Sequence, residues 1–350
     1  MDNIFITKLH IEKVRHLENM EIMLSDTERK HLILTGKNGS GKTSLLIALT
    51  SNIARGQMTI SMIASKYISD HHFFEKALDV SISYSKNITE DYNGIKDLVF
   101  VYIPARRNEF TLPQSMETIE IDDKTMITRN ASKDFLKYIL SLDYQLYGAN
   151  IDNNTETEIN IRNWFDNFKE ALRSIYSTPE LELKRDTKNF AFIIEMPGHN
   201  PFALNEMSDG YAAFLNIYME LLMRFETDGV IVDYNRPAIV IIDEIEAHLH
   251  VELQKRILPF LTKMFPNVQF IVSTHSPFVI SSSADAVVYD LEHKKYLENP
   301  NVYSYEAIVE AYLDAGQYSE DMKNIFARYR ELYNKELSDS ETMEFQQLIS

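Results

Sequence analysis

Cysteine is absent from the 350 residues. Its absence excludes a disulfide framework and any zinc site built on thiolates, and it fits a reducing cytoplasm. No run of roughly 18 apolar residues occurs either, so no membrane span is expected. The opening MDNIFITKLHIEKVRHLENM mixes acids with bases and lacks the basic start and apolar centre of a secretion signal. Positive charge is scarce: 35 Lys and Arg stand against 52 Asp and Glu, a net charge of −17. Bulk attraction to nucleic acid is thereby excluded, and any such contact needs a local basic patch or another subunit. No internal repeat, low-complexity tract or long heptad run is found. What remains has an ordinary globular composition, 45% hydrophobic and 25% charged. The length suits one large α/β domain with an insertion, or two domains.

Alternation and β-branched residues predict strands at 3–12, 31–36, 80–85 and 97–104. A helix is expected from Thr43 to Ala54, with Leu45, Leu46 and Leu49 on one face. From about Ser132 to Tyr176 the pattern is helical, broken by the polar GANIDNNTETE. LELKRD and NFAFIIEMPG read as a hairpin, and 207–225 as a helix with a polar start. The runs AIVII and FIV read as strands covered on both faces, as in a parallel sheet, with the amphipathic VELQKRILPFLTKMF between them. After Val288 the chain reads as helical, polar and acidic.

Glycine is sparse, ten residues in all, yet three of the ten fall at 36, 39 and 41. Gly36-Lys37-Asn38-Gly39-Ser40-Gly41-Lys42-Thr43 fits G-x-x-x-x-G-K-[ST] between a strand and a helix, the context of a phosphate-binding P-loop. Glycines let the backbone curl so that the N–H groups of Asn38, Gly39, Ser40 and Gly41 point at phosphate oxygens. The helix start adds its positive dipole end. Lys42 is then placed for the β- and γ-phosphates, and the Thr43 hydroxyl for Mg²⁺. AIVIIDE (238–244) supplies the partner motif: Asp243 for the Mg²⁺ shell and Glu244 as general base toward the attacking water.

Asp243 lies 200 residues after Thr43, a gap typical of ATP-binding-cassette ATPases rather than small GTPases. LNEMSDG (204–210) resembles the cassette signature, in which a Ser and a Gly at a helix start, here Ser208 and Gly210, face the γ-phosphate held by another subunit. Ser208 or Asp209 also reads as an ordinary helix cap. EAHLH (246–250) follows the acid pair, where the cassette's D-loop crosses the dimer interface. STHSP (273–277) ends the next strand, placing His275 as the γ-phosphate-sensing switch.

Taken in order, GKNGSGKT, SDG, IIDEIEAHLH and STHSPFVISS resemble the OLD-like and RecF-like branch of the cassette ATPases, relatives of SMC proteins. They are most like the ATPase subunits of bacterial anti-phage systems of the Septu kind. The resemblance covers 1–110 and 180–285. It implies an α/β fold: an ABC-type P-loop ATPase with a mixed or parallel sheet core, a helical insertion and a helical C-terminal tail. The expected layout is a first ATPase lobe at 1–110, the insertion at 111–180, a second lobe at 181–297 and an acidic segment at 298–350. LHIEKVRHLENMEI looks like the family's first strands, where the residue matching Arg15 sits near the phosphates. The signature departs from the family's common LSxGE start, and the Q-loop glutamine is not fixed, Gln114 lying in the right territory.

The resemblance further implies ATP and Mg²⁺ as ligands and a head-to-tail homodimer, or a higher assembly, closed around ATP. The cytoplasmic dimer would scaffold and restrain a separate effector, a nuclease such as an HNH protein. The insertion and the acidic tail are the expected docking surfaces. The 58 residues after SSSADAVVYDLE are too few for a Toprim domain of typical size, so the chain itself is not expected to be a nuclease. A RecF-like DNA-clamping ATPase is the alternative; it needs a basic stripe, for which Lys184-Arg185 and Arg106-Arg107 are the candidates. Long coiled-coil arms are absent, and a transporter ATPase fits the motifs less well. His71-His72 reads as surface loop. Tyr138, Tyr144, Tyr147, Trp164 and Phe168 read as a small core or a protein interface.

Overall fold

A computed structural model describes residues 4–57, 80–85, 98–105, 135–227 and 231–297. All of these fall in the first of two compact units, Met1–Val302, the second being Tyr303–Ser350. Gln114, Arg106-Arg107, His71-His72 and the acidic segment at 298–350 lie outside the described residues.

The centre is a sheet in the order β14-β13-β3-β12-β11-β5. Its strands are β3 (His31–Thr35), β5 (Val99–Ile103), β11 (Ala238–Ile242), β12 (Val268–Ser273), β13 (Ala286–Asp290) and β14 (Lys295–Leu297). All neighbours are parallel except the edge strand β14. Every residue of β3, β11 and β12 is buried, which is why AIVII and FIV, in β11 and β12, read as unbroken apolar runs. Ile242 is level with Val272, Ser273 with Leu34, and Asp290 with Thr35. The carboxyl ends of four strands therefore finish side by side, where open α/β sheets bind ligands.

A second, antiparallel sheet has the order β2-β1-β4: β1 (Ile6–Val14), β2 (Leu17–Met23) and β4 (Val80–Tyr84). Helix α1 (Lys42–Gln57) buries Leu45, Leu46 and Leu49, the predicted face, in one cluster with Ile11, Leu17 and Leu34. Gln269 ties β1 to the central sheet. Its amide oxygen accepts the Ile6 N–H at 2.7 Å, and its nitrogen donates to the Ile6 and Lys30 carbonyls at 2.9 and 2.8 Å.

Helices α2 (Phe135–Ile151) and α3 (Thr155–Tyr176) form the described part of the expected insertion. The break between them is far shorter than the polar stretch GANIDNNTETE. Asn154 caps α3 by accepting the Thr157 N–H, and Glu156 and Glu158 favour its first turn, so helix reclaims most of that stretch. Strands β6 (Glu182–Asp186), β7 (Ala191–Glu195) and β8 (Phe202–Ala203) follow as an antiparallel sheet. Then come α4 (Asp209–Phe225), the short hairpin β9 (Glu226–Thr227) and β10 (Ile231–Val232), α5 (Val251–Met264) between β11 and β12, and the single turn α6 (Pro277–Ile280).

Tyr138, Trp164 and Phe168 are core, and Phe168 stacks on Tyr218 of α4 with ring centroids 6.3 Å apart. Tyr144 and Tyr147 are exposed instead. The expectation of helix after Val288 is corrected up to residue 297. Val288 and Tyr289 pair with Ile33 and Leu34, and Tyr289 meets Tyr296 edge-on at 4.9 Å, so short strands form there.

His31 sits at the start of β3, and its Nδ1 accepts the Phe270 N–H at 3.1 Å. Burial, with Arg29 acting the same way, pushes its imidazole down from 6.5 to about 4. The neutral ring is the folded form. Stability is therefore complete above pH 6.5 and falls by about 3 kcal/mol as pH drops toward 4. Urea midpoints measured from pH 7.5 to 4.5 should decline in the wild type. In His31→Gln, which keeps an acceptor that does not titrate, the decline should be shallower.

Candidate nucleotide-binding site

The loop between β3 and α1 takes the shape its glycines permit. Gly36 and Gly41 have φ of 132° and 99°. A Cβ on Gly41 would come within 2.9 Å of Leu17 Cδ1 and 3.3 Å of His16 Cε1, so only glycine fits beneath the β1–β2 turn. Lys42, the first residue of α1, is buried, and its Nζ donates to the Gly36 and Lys37 carbonyls at 2.6 and 3.0 Å. Burial lowers its pKa, opposed by the charges of Glu246, Glu244, Asp243 and Asp290. Asn38, Gly39 and Thr43 are exposed. The Ser40 hydroxyl is buried without a hydrogen-bond partner. An orphan donor beside a folded-back lysine is the chemistry of a loop that fits phosphate.

Asp243 follows β11 and is buried; its Oδ1 accepts the Ser273 Oγ–H at 2.5 Å. The same Ser273 oxygen accepts the Glu244 N–H at 2.8 Å. Glu244 has φ of 45°, a conformation a non-glycine residue holds only when its surroundings impose it. Ser273 thus fixes both acids, and its only trace in the sequence is its place at the head of STHSP.

His275 is half exposed. Its backbone N–H donates to Glu246 Oε1 at 2.8 Å, and its Nδ1 lies 3.2 Å from the same oxygen. Glu246 is buried, with Oε2 unpartnered. An Nδ1–H tautomer satisfies Glu246 and leaves Nε2 on the opposite edge of the ring. Glu246 is therefore the residue that sets His275, a role the sequence reading missed.

Ser208 is the exposed N-cap of α4, yet its side chain makes no cap hydrogen bond. Gly210 is buried against the segment after the acids: a Cβ there would meet His250 Cδ2 at 2.8 Å. Arg15 occupies the β1–β2 turn, exposed, with φ of 55°. The neighbouring residue, His16, links that turn to the loop, its Nε2 lying 3.1 Å from the Ser40 carbonyl.

A buried lysine under a glycine loop, facing strand-end carboxylates, defines a P-loop ATPase domain. Residues 32–281, more than half of the chain, match the family described as "AAA domain, putative AbiEii toxin, Type IV TA system", and the chain belongs to that family. It is similar to the Septu protein PtuA of Bacillus mycoides strain KBAB4, 25% identical over 300 residues that cover 81% of this chain and 40% of the relative. It is similar also to the "Retron Vc95 probable ATPase" of Vibrio cholerae, 26% identical over 71% of this chain and 48% of the relative. The chain thus spans less than half the length of these two relatives. The SMC head solved with the C-winged helix domain of ScpA aligns at 16% identity and a TM-score of 0.44, covering 85% of this chain and 96% of that one. Among the described residues no helix is long and apolar enough to cross a membrane.

Proposed function

We propose that this chain is a cytoplasmic, Mg²⁺-dependent ATPase of the cassette type that pairs head-to-tail with a second copy around ATP. It regulates a separate effector, a nuclease, in anti-phage defence, and is not itself the nuclease. The observation that carries the reading is the placing of Asp243 and Glu244 by one buried serine, Ser273, at the end of β11, with the charges of both acids acting on the buried Lys42 ammonium. The names of the Septu and retron relatives support the defence setting.

On binding, Lys42 would exchange the Gly36 and Lys37 carbonyls for β- and γ-phosphate oxygens. The N–H groups of Asn38 to Gly41 and the Ser40 hydroxyl would complete the cradle, with Arg15 near its rim. Thr43 and Asp243 would hold Mg²⁺, which supplies neutralisation of phosphate charge when bound. Glu244 would take the proton of the attacking water, and His275, set by Glu246, would contact the γ-phosphate. Ser208, whose hydroxyl makes no cap bond, and Gly210 would serve the partner's nucleotide. ATP then acts as a ligand of the closed pair and its hydrolysis as the release.

The RecF-like alternative gains nothing from the basic candidates that can be placed. Lys184 pairs with Glu195 at 2.6 Å and Arg185 with Asp143 at 2.5 Å, so neither offers an uncompensated charge to a phosphate backbone. Ser208→Arg tests the pairing. With Glu244→Gln as background, size-exclusion chromatography with ATP should show a dimer that Ser208→Arg abolishes. Unchanged ATP-dependent dimerisation in Ser208→Arg would overturn the signature assignment.

A further inference from the structure

We infer that the turn Asp290-Leu291-Glu292-His293, which leaves β13, is a strap that holds the P-loop in its binding shape, with Glu292 as a positioning residue. The inference rests on the nucleotide-binding reading of that loop. Its basis is the peptide plane between Gly36 and Lys37. Lys42 Nζ takes the carbonyl of that plane at 2.6 Å. Glu292 Oε2 accepts the N–H of the same plane at 3.3 Å. The other carboxylate oxygen, Oε1, lies 3.2 Å from Lys37 Nζ. One carboxylate therefore grips both the backbone and the side chain of Lys37.

This plane is the one in the loop most in need of a grip. It follows Gly36, whose φ of 132° is open to glycine and closed to most residues. Lys42 is expected to leave the Gly36 carbonyl when phosphate arrives. Glu292 touches only the outer side of the plane, so it can stay in place while the inner side changes partners. Preorganising a loop in this way improves affinity by reducing what must be ordered on binding.

The turn is itself built to aim Glu292. Asp290 is fully buried, and its Oδ1 accepts the Glu292 N–H at 2.8 Å and the His293 N–H at 3.4 Å. Its Oδ2 lies 2.6 Å from His293 Nδ1. A Cβ on Gly36 would sit 3.3 Å from Asp290 Oδ1, so the turn lies directly on the loop. The Leu291 N–H donates to the Thr35 carbonyl at 3.0 Å, locking the turn to the strand that launches the loop.

The test is binding of a fluorescent ATP analogue (mant-ATP) with Mg²⁺ to the full chain, as wild type, Glu292→Ala, Glu292→Gln, Lys37→Met and the Lys37→Met/Glu292→Ala pair. Each alanine or methionine variant should bind about threefold to tenfold more weakly, as expected for a partly exposed charge-assisted contact. The double variant should be no weaker than Glu292→Ala alone, because the ion pair that Lys37→Met removes is already lost there. Glu292→Gln should fall between, since its amide oxygen still accepts the Lys37 N–H. Melting temperatures should not move. Hydrogen exchange without nucleotide should speed up in the peptide spanning 36–41 in Glu292→Ala. Wild-type affinity in Glu292→Ala, or fully additive losses, would overturn the strap. Should the wild type itself not bind mant-ATP, the P-loop reading fails, and the exchange result still judges the strap: unchanged protection overturns it. Lys37→Met alters the loop side alone, so the inference stays testable even where Glu292→Ala disturbs folding.

Discussion

Glu244→Gln should bind ATP as the wild type does and lose about a hundredfold or more in turnover, the usual contribution of a positioned general base. The substitution keeps size and hydrogen-bonding capacity but removes the group that can take a proton. It keeps the hold of Ser273 on this position, which runs through the Glu244 backbone N–H. The left-handed backbone at this position, φ of 45°, is also no harder for Gln than for Glu. Phosphate release at saturating ATP and Mg²⁺ measures the rate, and mant-ATP binding measures the ground state. Wild-type turnover would move the base elsewhere. A parallel loss of binding would assign Glu244 to holding nucleotide rather than activating water.

Lys42→Ala should weaken ATP binding by about a hundredfold, equivalent to about 2.7 kcal/mol, within the range of a charge-assisted contact to phosphate. The charges of Glu246, Glu244, Asp243 and Asp290 all act on this buried ammonium, so its loss removes a cation that offsets them where the polyanion binds. Its two hydrogen bonds in the folded chain go to backbone carbonyls that water can reach once the side chain is gone. Calorimetric titration with Mg-ATP reads the affinity, and circular dichroism checks that the fold is kept. Unaltered affinity would mean that the loop is a glycine turn with no nucleotide role.

The P-loop and the acid strand could be read from the chain because their chemistry is local. A glycine turn, a lysine and a helix start lie within eight consecutive residues, and Asp243 and Glu244 follow an apolar run that can only be a covered strand. The apolar runs AIVII of β11 and FIV of β12 likewise pointed to a parallel sheet. Short strands were harder. Residues 286–297 pair as β13 and β14, but three to five residues among polar neighbours carry too little periodicity to outweigh a helical reading. Polar GANIDNNTETE misled for a different reason: Asn and Glu serve helix starts as well as loops, and only the Asn154 cap separates the two.

The residues that hold the site in shape were invisible for a common reason. Ser273 reaches Asp243 across 30 positions, Glu246 meets His275 across 29, and Glu292 grips Lys37 across 255. Gln269 joins two sheets across 263. Each is an ordinary polar residue whose partner is chosen by strand order. That order is β13 beside β3 beside β12 beside β11, and it follows from crossover connections that no local pattern records. Local sequence therefore determined the reactive groups and the strands that carry them, since both depend on neighbours within a few residues. Tertiary structure alone decided which carboxylate faces Lys42, which serine fixes two acids at once, and which turn lies on the phosphate loop. Those choices are made by the register and proximity of strands far apart in the chain.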